Sequence, residues 1–418
     1  MSAGPPVTTE PSPAAGHDTG EYPADNRSAF GKLVVLMITA FIDMLGLLMV
    51  LPLLPFYAEK MGAGGFVVGA LVASFSFAQL LSAPIWGRFS DRYGRRPALM
   101  IGLGASAVAY IVFAFADSLW LLFLSRIVQG AGGGTVSVIQ AYVADATKPQ
   151  DRAKSLGWLS AATNAGVAIG PVIGSWASVV NSYTPGLIAA GFCVVNMVFA
   201  WRYLTEVRKP VASDGKPRAV RTSRQAVFQV VSQPNEPTSR LILIYAIAIG
   251  AFQGTTAVLA LFLAWRFGVT EKTIGYFFMY IGVLSVLTRA VILGKLVDRF
   301  GEARLSRYGI VLMSAGLTGI ALSHDYNTLA LAVGLLPLGT AFTFPCVTSL
   351  LSRVISSAER GLYMGVQQTY GGISRVAFPV LFGIAYDGIG KTSPFLISAT
   401  LVLGTLLLGR DLEKYTRK

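Results

Sequence analysis

The stretch Gly87-Arg88-Phe89-Ser90-Asp91-Arg92-Tyr93-Gly94-Arg95-Arg96 lies between two long apolar runs and returns, in large part, as Gly294-Lys295-Leu296-Val297-Asp298-Arg299-Phe300-Gly301. From Gly87 to Gly294 the offset is 207 residues. A second landmark, Pro171 within one apolar run, is matched by Pro379 within another, at an offset of 208. Two unrelated landmarks at nearly one spacing mark the chain as a duplicated unit, because self-similarity at a fixed period is the signature of repeat architecture.

Working outward from these loops, apolar runs fall near residues 33–57, 66–86, 98–115, 119–144, 154–179, 185–204, 241–265, 273–293, 307–323, 328–352, 361–386 and 393–409. Each is close to the roughly 20 residues that cross a bilayer core of about 30 Å as a helix. Composition agrees: 53% of residues are hydrophobic and only 13% charged, against about 25% charged in a soluble protein. Backbone polar groups cannot stay unpaired in lipid, so helices are the spanning element. The expected fold is an all-α integral membrane protein, with twelve transmembrane helices in two pseudo-symmetric six-helix bundles. The expected division is a disordered cytoplasmic tail at 1–29, an N-terminal bundle at 30–205, a cytoplasmic linker at 206–239, and a C-terminal bundle with a short tail at 240–418.

The net charge of +13 does not point to nucleic acid. Its basic residues sit in short clusters between apolar runs: Arg88 to Arg96, then Lys148, Arg152 and Lys154, then Arg208 to Arg224, then Lys295 to Arg307. The alternate loops are nearly bare of Lys and Arg. That asymmetry places both termini of a multi-pass protein in the cytoplasm; the short loops, and an Asn-x-Ser sequon only at Asn26 on the cytoplasmic tail, point to a bacterial inner membrane, with a eukaryotic organelle membrane as the alternative. Cys193 and Cys346 lie far apart within apolar runs, as small core residues and not as a disulfide or metal site. No metal, cofactor or nucleic-acid partner is expected, and a monomer is.

Three segments resemble motifs of one family. The Gly87–Arg96 loop resembles motif A of the major facilitator superfamily. Arg126 with Gln129, Gly130, Gly132, Gly133 and Gly134 resembles its motif B. Gly166-Val167-Ala168-Ile169-Gly170-Pro171-Val172-Ile173-Gly174-Ser175 resembles motif C of its drug–proton antiporters, with Ser175 where that pattern ends in glycine. Within the superfamily, Phe41-Ile42-Asp43-Met44-Leu45-Gly46 followed by Leu51-Pro52-Leu53-Leu54-Pro55 is similar to the first helix of tetracycline-resistance efflux proteins. The acids and histidine those proteins carry in helices 3, 8 and 9 have no counterpart here: Ala109 and Ser285 stand near two of the places, and Leu312–Leu322 holds no acid.

Of 21 acidic residues, only Asp43 falls deep inside a run. A carboxylate at that depth costs several kcal/mol unless it is paired or protonated, which suits it to carry a proton. Arg126 is expected near the same depth and pairs with Asp43 in one state; the alternative is a structural arginine. Arg375, mid-run with no matching acid at depth in its half, is a candidate to contact an anionic substrate group or to pair with Asp43 across the cavity. Asn164, Gln253, Tyr280, Gln367, Gln368 and Tyr370 are candidates to line the substrate cavity. The resemblance assigns gating to Gly87, Asp91, Arg92, Gly94, Arg95 and Arg96, and to Gly294, Asp298 and Arg299. Under it, Asp91 sits against the start of helix 11 when the inner side closes, and Arg95 reaches Asp145. In the third motif, Gly166, Gly170 and Gly174 recur every four residues along one helical face, where small residues permit close helix approach, while Pro171 bends the helix.

The resulting expectation is a secondary active transporter, a proton-coupled antiporter exporting small amphipathic molecules. A symporter or facilitator of a small metabolite is the alternative. A membrane enzyme would need a catalytic constellation at depth, which the runs lack. No Gly-x-x-x-x-Gly-Lys-Ser/Thr loop is present, so nucleotide hydrolysis is not expected to drive it.

Overall fold

The computed structural model describes residues 26–147, 151–204, 206, 223–356 and 359–410, and these are helical with no strand among them. Helix α1 spans Asn26–Val50 and resumes, after a turn at 51–53, as Leu54–Lys60. The interruption falls at Pro52 and Pro55, which cannot donate the backbone bonds a continuous helix needs. The others are α2 (Gly65–Tyr93), α3 (Arg95–Ala114), α4 (Leu119–Gly132, resumed as Thr135–Ala146), α5 (Arg152–Val180) and α6 (Thr184–Tyr203). The second half holds α7 (Pro237–Phe267), α8 (Ile274–Phe300, with a π-helical turn at Thr288–Ile292), α9 (Glu302–Leu322), α10 (Tyr326–Val354), α11 (Arg360–Gly388) and α12 (Ser393–Leu408). Ten of these are long and apolar enough to cross a membrane. The exceptions are α11, which carries Gln367, Gln368 and Arg375, and α12, which has 16 residues.

Three boundaries differ from the sequence expectation. Residues 26–29 continue α1 instead of belonging to a tail; residues 1–25 lie outside the described residues. The expected linker contains a helix, Ser223–Ser232, and α7 begins at Pro237 rather than 240. Gln229 of that helix accepts a hydrogen bond from the Tyr363 hydroxyl at 2.7 Å, which holds the helix against α11. The linker helix is short and its apolar residues are few, so no membrane-length pattern announced it.

In both copies of the repeated loop the chain turns at a glycine of positive φ, Gly94 at 108° and Gly301 at 76°, a conformation that side chains with a Cβ resist. Within the first half, α5 lies directly on α1. A Cβ at Gly166 would strike the Phe41 carbonyl, one at Gly170 the Leu45 carbonyl, and one at Gly174 the Met49 carbonyl. The two halves meet along α2 with α11 and along α5 with α8. Both seams are tight on the face away from the basic loops. There Gly69 abuts the Pro379 carbonyl, Ser175 Oγ accepts from the Gly275 N–H at 2.8 Å, and Lys60 pairs with Glu271 at 2.6 Å. Toward the basic loops the halves part: Gly87, Gly361 and Gly365 have open space where a Cβ would stand, and Leu81 and Ile85 are exposed. The cleft between the halves therefore opens on the basic face.

Candidate functional site

Asp43 lies in the middle of α1 and is 7% exposed. Its Oδ2 accepts a hydrogen bond from the Thr135 hydroxyl at 2.8 Å. Thr135 is placed by the break in α4. At Gly133 and Gly134 the helix stops and restarts, and side chains of α2 take up freed carbonyls: Gln79 donates to Gly133 at 3.0 Å and Trp86 to Ala131 at 2.5 Å. A Cβ on Gly134 would meet the Trp86 ring at 2.7 Å. The glycine run thus turns the helix so that the next residue, Thr135, faces α1.

Arg126 is in the upper segment of α4 and fully buried. None of its three guanidinium nitrogens has a hydrogen-bond partner. Its guanidinium carbon stands 5.7 Å from the centre of the Phe113 ring. The Asp43–Arg126 pairing expected in one state is not made in this one: among the described residues Asp43 is held by Thr135, nine positions further along α4.

Tyr110 is buried in the same half and lies within electrostatic range of both charges. Its hydroxyl packs 3.7 Å from where a Cβ on Gly46 would be, one turn beyond Asp43, and accepts from Gln129 Nε2 at 2.6 Å. Gln129 Oε1 is buried and unpartnered, like the arginine. Sequence reasoning missed Thr135 and Tyr110. The adjoining motif residues pointed at Gln129 and Gly46, but nothing in the pattern identified what they touch.

The expected cavity residues divide. Gln253 lines a recess between the halves with Leu51, Val72, Thr256 and Phe278. Asn164 lines a second recess beside α1 with Ala40, Gln140, Ser160 and Thr163. Arg375 is half-buried and shares a helical face with Gly371 and Gly372, which abut Tyr245 of α7 and Leu80 of α2. Gln368 is exposed on α11. Tyr280 is 40% exposed on α8, with its hydroxyl near Gly334 of α10. Two expectations are corrected. Gln367 is buried against Thr348 of α10, donating to its hydroxyl at 3.3 Å. Tyr370 donates to the Val227 carbonyl of the linker helix at 2.9 Å. In both the polar group ties helices together because its azimuth faces a neighbour and not the cleft.

On the basic face, Arg95 Nε contacts Asp145 at 3.0 Å and Arg95 Nη1 contacts Asp91 at 2.9 Å. Arg96 bonds the Trp201 carbonyl. Arg92 and Arg299 each lie 5.4 Å from the ring of the following residue, Tyr93 and Phe300. Gly294 and Asp298 are exposed at the end of α8. The start of α3 is capped by Glu206, which accepts from the Arg95 and Arg96 N–H groups at 2.7 and 3.0 Å.

Two helical bundles joined along two helix pairs, with a cleft open to one face and an acid buried within the first bundle, define a multi-pass membrane transporter. Residues 36–379 and 241–415 match the family profile described as Major Facilitator Superfamily, and the chain belongs to that family. It is 28% identical over 377 residues to Multidrug resistance protein 1 of Bacillus subtilis (strain 168), covering 90% of this chain and 95% of that one. It is 27% identical over 358 residues to the class B tetracycline resistance protein of Escherichia coli, covering 84% and 88%. In fold it is similar to the human organic anion transporter MFSD10 (TETRAN), with a TM-score of 0.67 and 22% identity over 91% of this chain and 99% of that one.

Proposed function

We propose that the chain is a proton-driven exporter of small amphipathic molecules, with Asp43 as the proton carrier and Arg126 as its partner in another state of the cycle. One observation carries this reading: a buried carboxylate and a buried, unpartnered guanidinium lie in the same half, with one tyrosine within electrostatic range of both. A desolvated charge is costly unless neutralised, so each favours a state in which it gains a proton or a counter-charge. A cycle that brings Asp43 to Arg126 releases its proton, and one that separates them takes a proton up. The multidrug and tetracycline resistance proteins among its relatives support export of drug-like cargo. Arg375, half-buried between α2 and α7, favours organic anions among such cargo. The positive-inside rule makes the basic face cytoplasmic, with both termini on that side, and the protein works as a monomer.

The test is proton movement in energised everted vesicles, wild type against Asp43→Asn, challenged with lipophilic cations, tetracyclines and organic anions. Cargo-triggered proton release that the variant lacks is the expected result. A variant that behaves like wild type leaves Asp43 structural and overturns the coupling mechanism.

A further inference from the structure

Two helices that face each other, one from each half, carry the same four-residue signature. On α2 it is Gly65, Gly69, Gly87 and Asp91; on α11 it is Gly361, Gly365, Gly383 and Asp387. Each residue of the second set follows its counterpart by 296 positions, as from 65 to 361 and from 91 to 387. That offset is not the one relating the duplicated halves, which pairs α2 with α8 and α5 with α11. The match is between antiparallel neighbours. It sets the leading glycines of each helix opposite the trailing Gly-x-x-x-Asp of the other, once at each end of the seam.

One end is assembled. Asp387 Oδ1 accepts from the Gly65 N–H at 2.8 Å and its Oδ2 from the Phe66 N–H at 2.8 Å. These are first-turn donors that α2 itself cannot satisfy, at the end where the helix dipole favours an anion. The approach needs glycine: a Cβ on Gly65 would meet Tyr386 at 2.8 Å and Asp387 at 3.0 Å, and one on Gly383 would strike the Gly65 carbonyl. The other end is apart. A Cβ on Gly87, Gly361 or Gly365 would meet nothing within 4 Å, and Asp91 pairs with Arg95 of its own loop at 2.9 Å.

We propose that Asp387 is a gate residue, the counterpart of Asp91, and that the two carboxylates act in alternation. Asp387 caps α2 while the cleft opens on the basic face. Asp91 caps α11, through the N–H groups of Gly361 and Leu362, when the cleft opens on the opposite face. Arg95 then releases Asp91 and keeps Asp145 and the Ser90 hydroxyl, which it already holds at 3.0 and 2.8 Å. Gly361 and Gly365 have no packing reason to be glycine in the present state; the second state supplies one. The proposal rests on the alternating access of the proposed function, and on neither its proton nor its cargo.

The test reads access to the cleft from the face opposite the basic loops. Thr256 lines the recess between the halves, and both native cysteines are buried. A Thr256→Cys chain in intact cells is labelled with a membrane-impermeant maleimide, without cargo or gradient. Asp387→Ala is expected to raise the labelling rate at least tenfold, since each charge-assisted bond it removes favours the present state by about that factor, with Asp387→Glu returning toward the parent. Gly365→Leu, whose side chain enters open space in the present state, is expected to lower the rate severalfold by blocking the other one. Total labelling after denaturation controls for folding and amount. An Asp387→Ala rate equal to the parent's, or a Gly365→Leu rate not lowered, overturns the proposal. Either can occur whether or not Asp43→Asn abolishes proton release, so the two readings fail separately.

Discussion

At the repeated loop the two halves carry the same ion pair with its charges exchanged. In the first half Arg95 binds Asp145 at 3.0 Å. In the second, Glu302 stands in the place of Arg95 at the 207-residue offset, and Arg353, one residue off the place of Asp145, binds it at 2.9 Å. The duplicated scaffold needs a staple between the two helices there and is indifferent to its polarity. The buried charges behave in the opposite way. Asp43 corresponds to Gly250, and Arg126 to Val333 or Gly334. A structural need would have been the same in both halves, and burying an ion is expensive. Charges kept on one side only, at that cost, are what the proposed transport cycle requires and a duplicated scaffold does not.

The comparison breaks most decisively at Asp43. Asp43→Asn is expected to reduce cargo-triggered proton release to the level of empty vesicles. Gly250→Ala at the matching position is expected to keep the coupling, because the atoms nearest its Cβ belong to the Phe378 ring, at a stability cost of about 1–3 kcal/mol from overpacking. Equal losses of coupling in both variants would erase the asymmetry. Next is Arg126→Met. If the arginine serves the cycle, removing its unpartnered charge leaves the melting temperature in detergent unchanged or raised, while transport is lost. A fall of several degrees would instead make it a structural residue.

The staples themselves sharpen the contrast. The Glu302 side chain is 10% exposed, against 25% for Asp145 and 53% for Asp91. Arg353→Ala leaves the Glu302 charge buried and uncompensated, so it is expected to cost roughly 3 kcal/mol in denaturant unfolding. Arg95→Ala leaves two acids in partial contact with solvent and costs about 1 kcal/mol. Equal costs would mean that burial does not govern these pairs.

Much of this was legible in the sequence, for definite reasons. Hydropathy reports depth, so the spans, the repeat and the buried Asp43 were all readable. It does not report azimuth, which is why Gln367 and Tyr370 read as cavity residues although they tie helices together. Nor does it report helix breaks: the Gly132–Gly134 run was visible, yet only the structure shows that it delivers Thr135 to Asp43 and leaves Arg126 alone. The signature shared by α2 and α11 went unseen because the repeat was sought between parallel copies, while these helices are antiparallel.

The smallest expected effect lies at the far end of the molecule, where the halves differ by one cap. Asp325 opens α10 by accepting from the Asn327 and Thr328 N–H groups at 2.9 and 3.0 Å. Its counterpart at the 207-residue offset, Ser118, opens α4 with no side-chain cap bond. The Thr328 backbone and hydroxyl bonds hold the Asp325 carboxyl below its ordinary range, with the Asn327 N–H and His324 adding to the effect. A depressed carboxylate lends stability that is fully present above the unfolded value, about 3.9, and is lost as pH falls through the folded one. Amide exchange at Asn327 and Thr328, corrected for intrinsic rates, should therefore stay constant down to about pH 4 and rise only below it. Asp325→Ala should remove that step, and the first amides of α4 should never show one. A step at Asp325 in the ordinary carboxylate range, or none at all, would mean that α10 starts without its cap, and the two halves would be alike at this end.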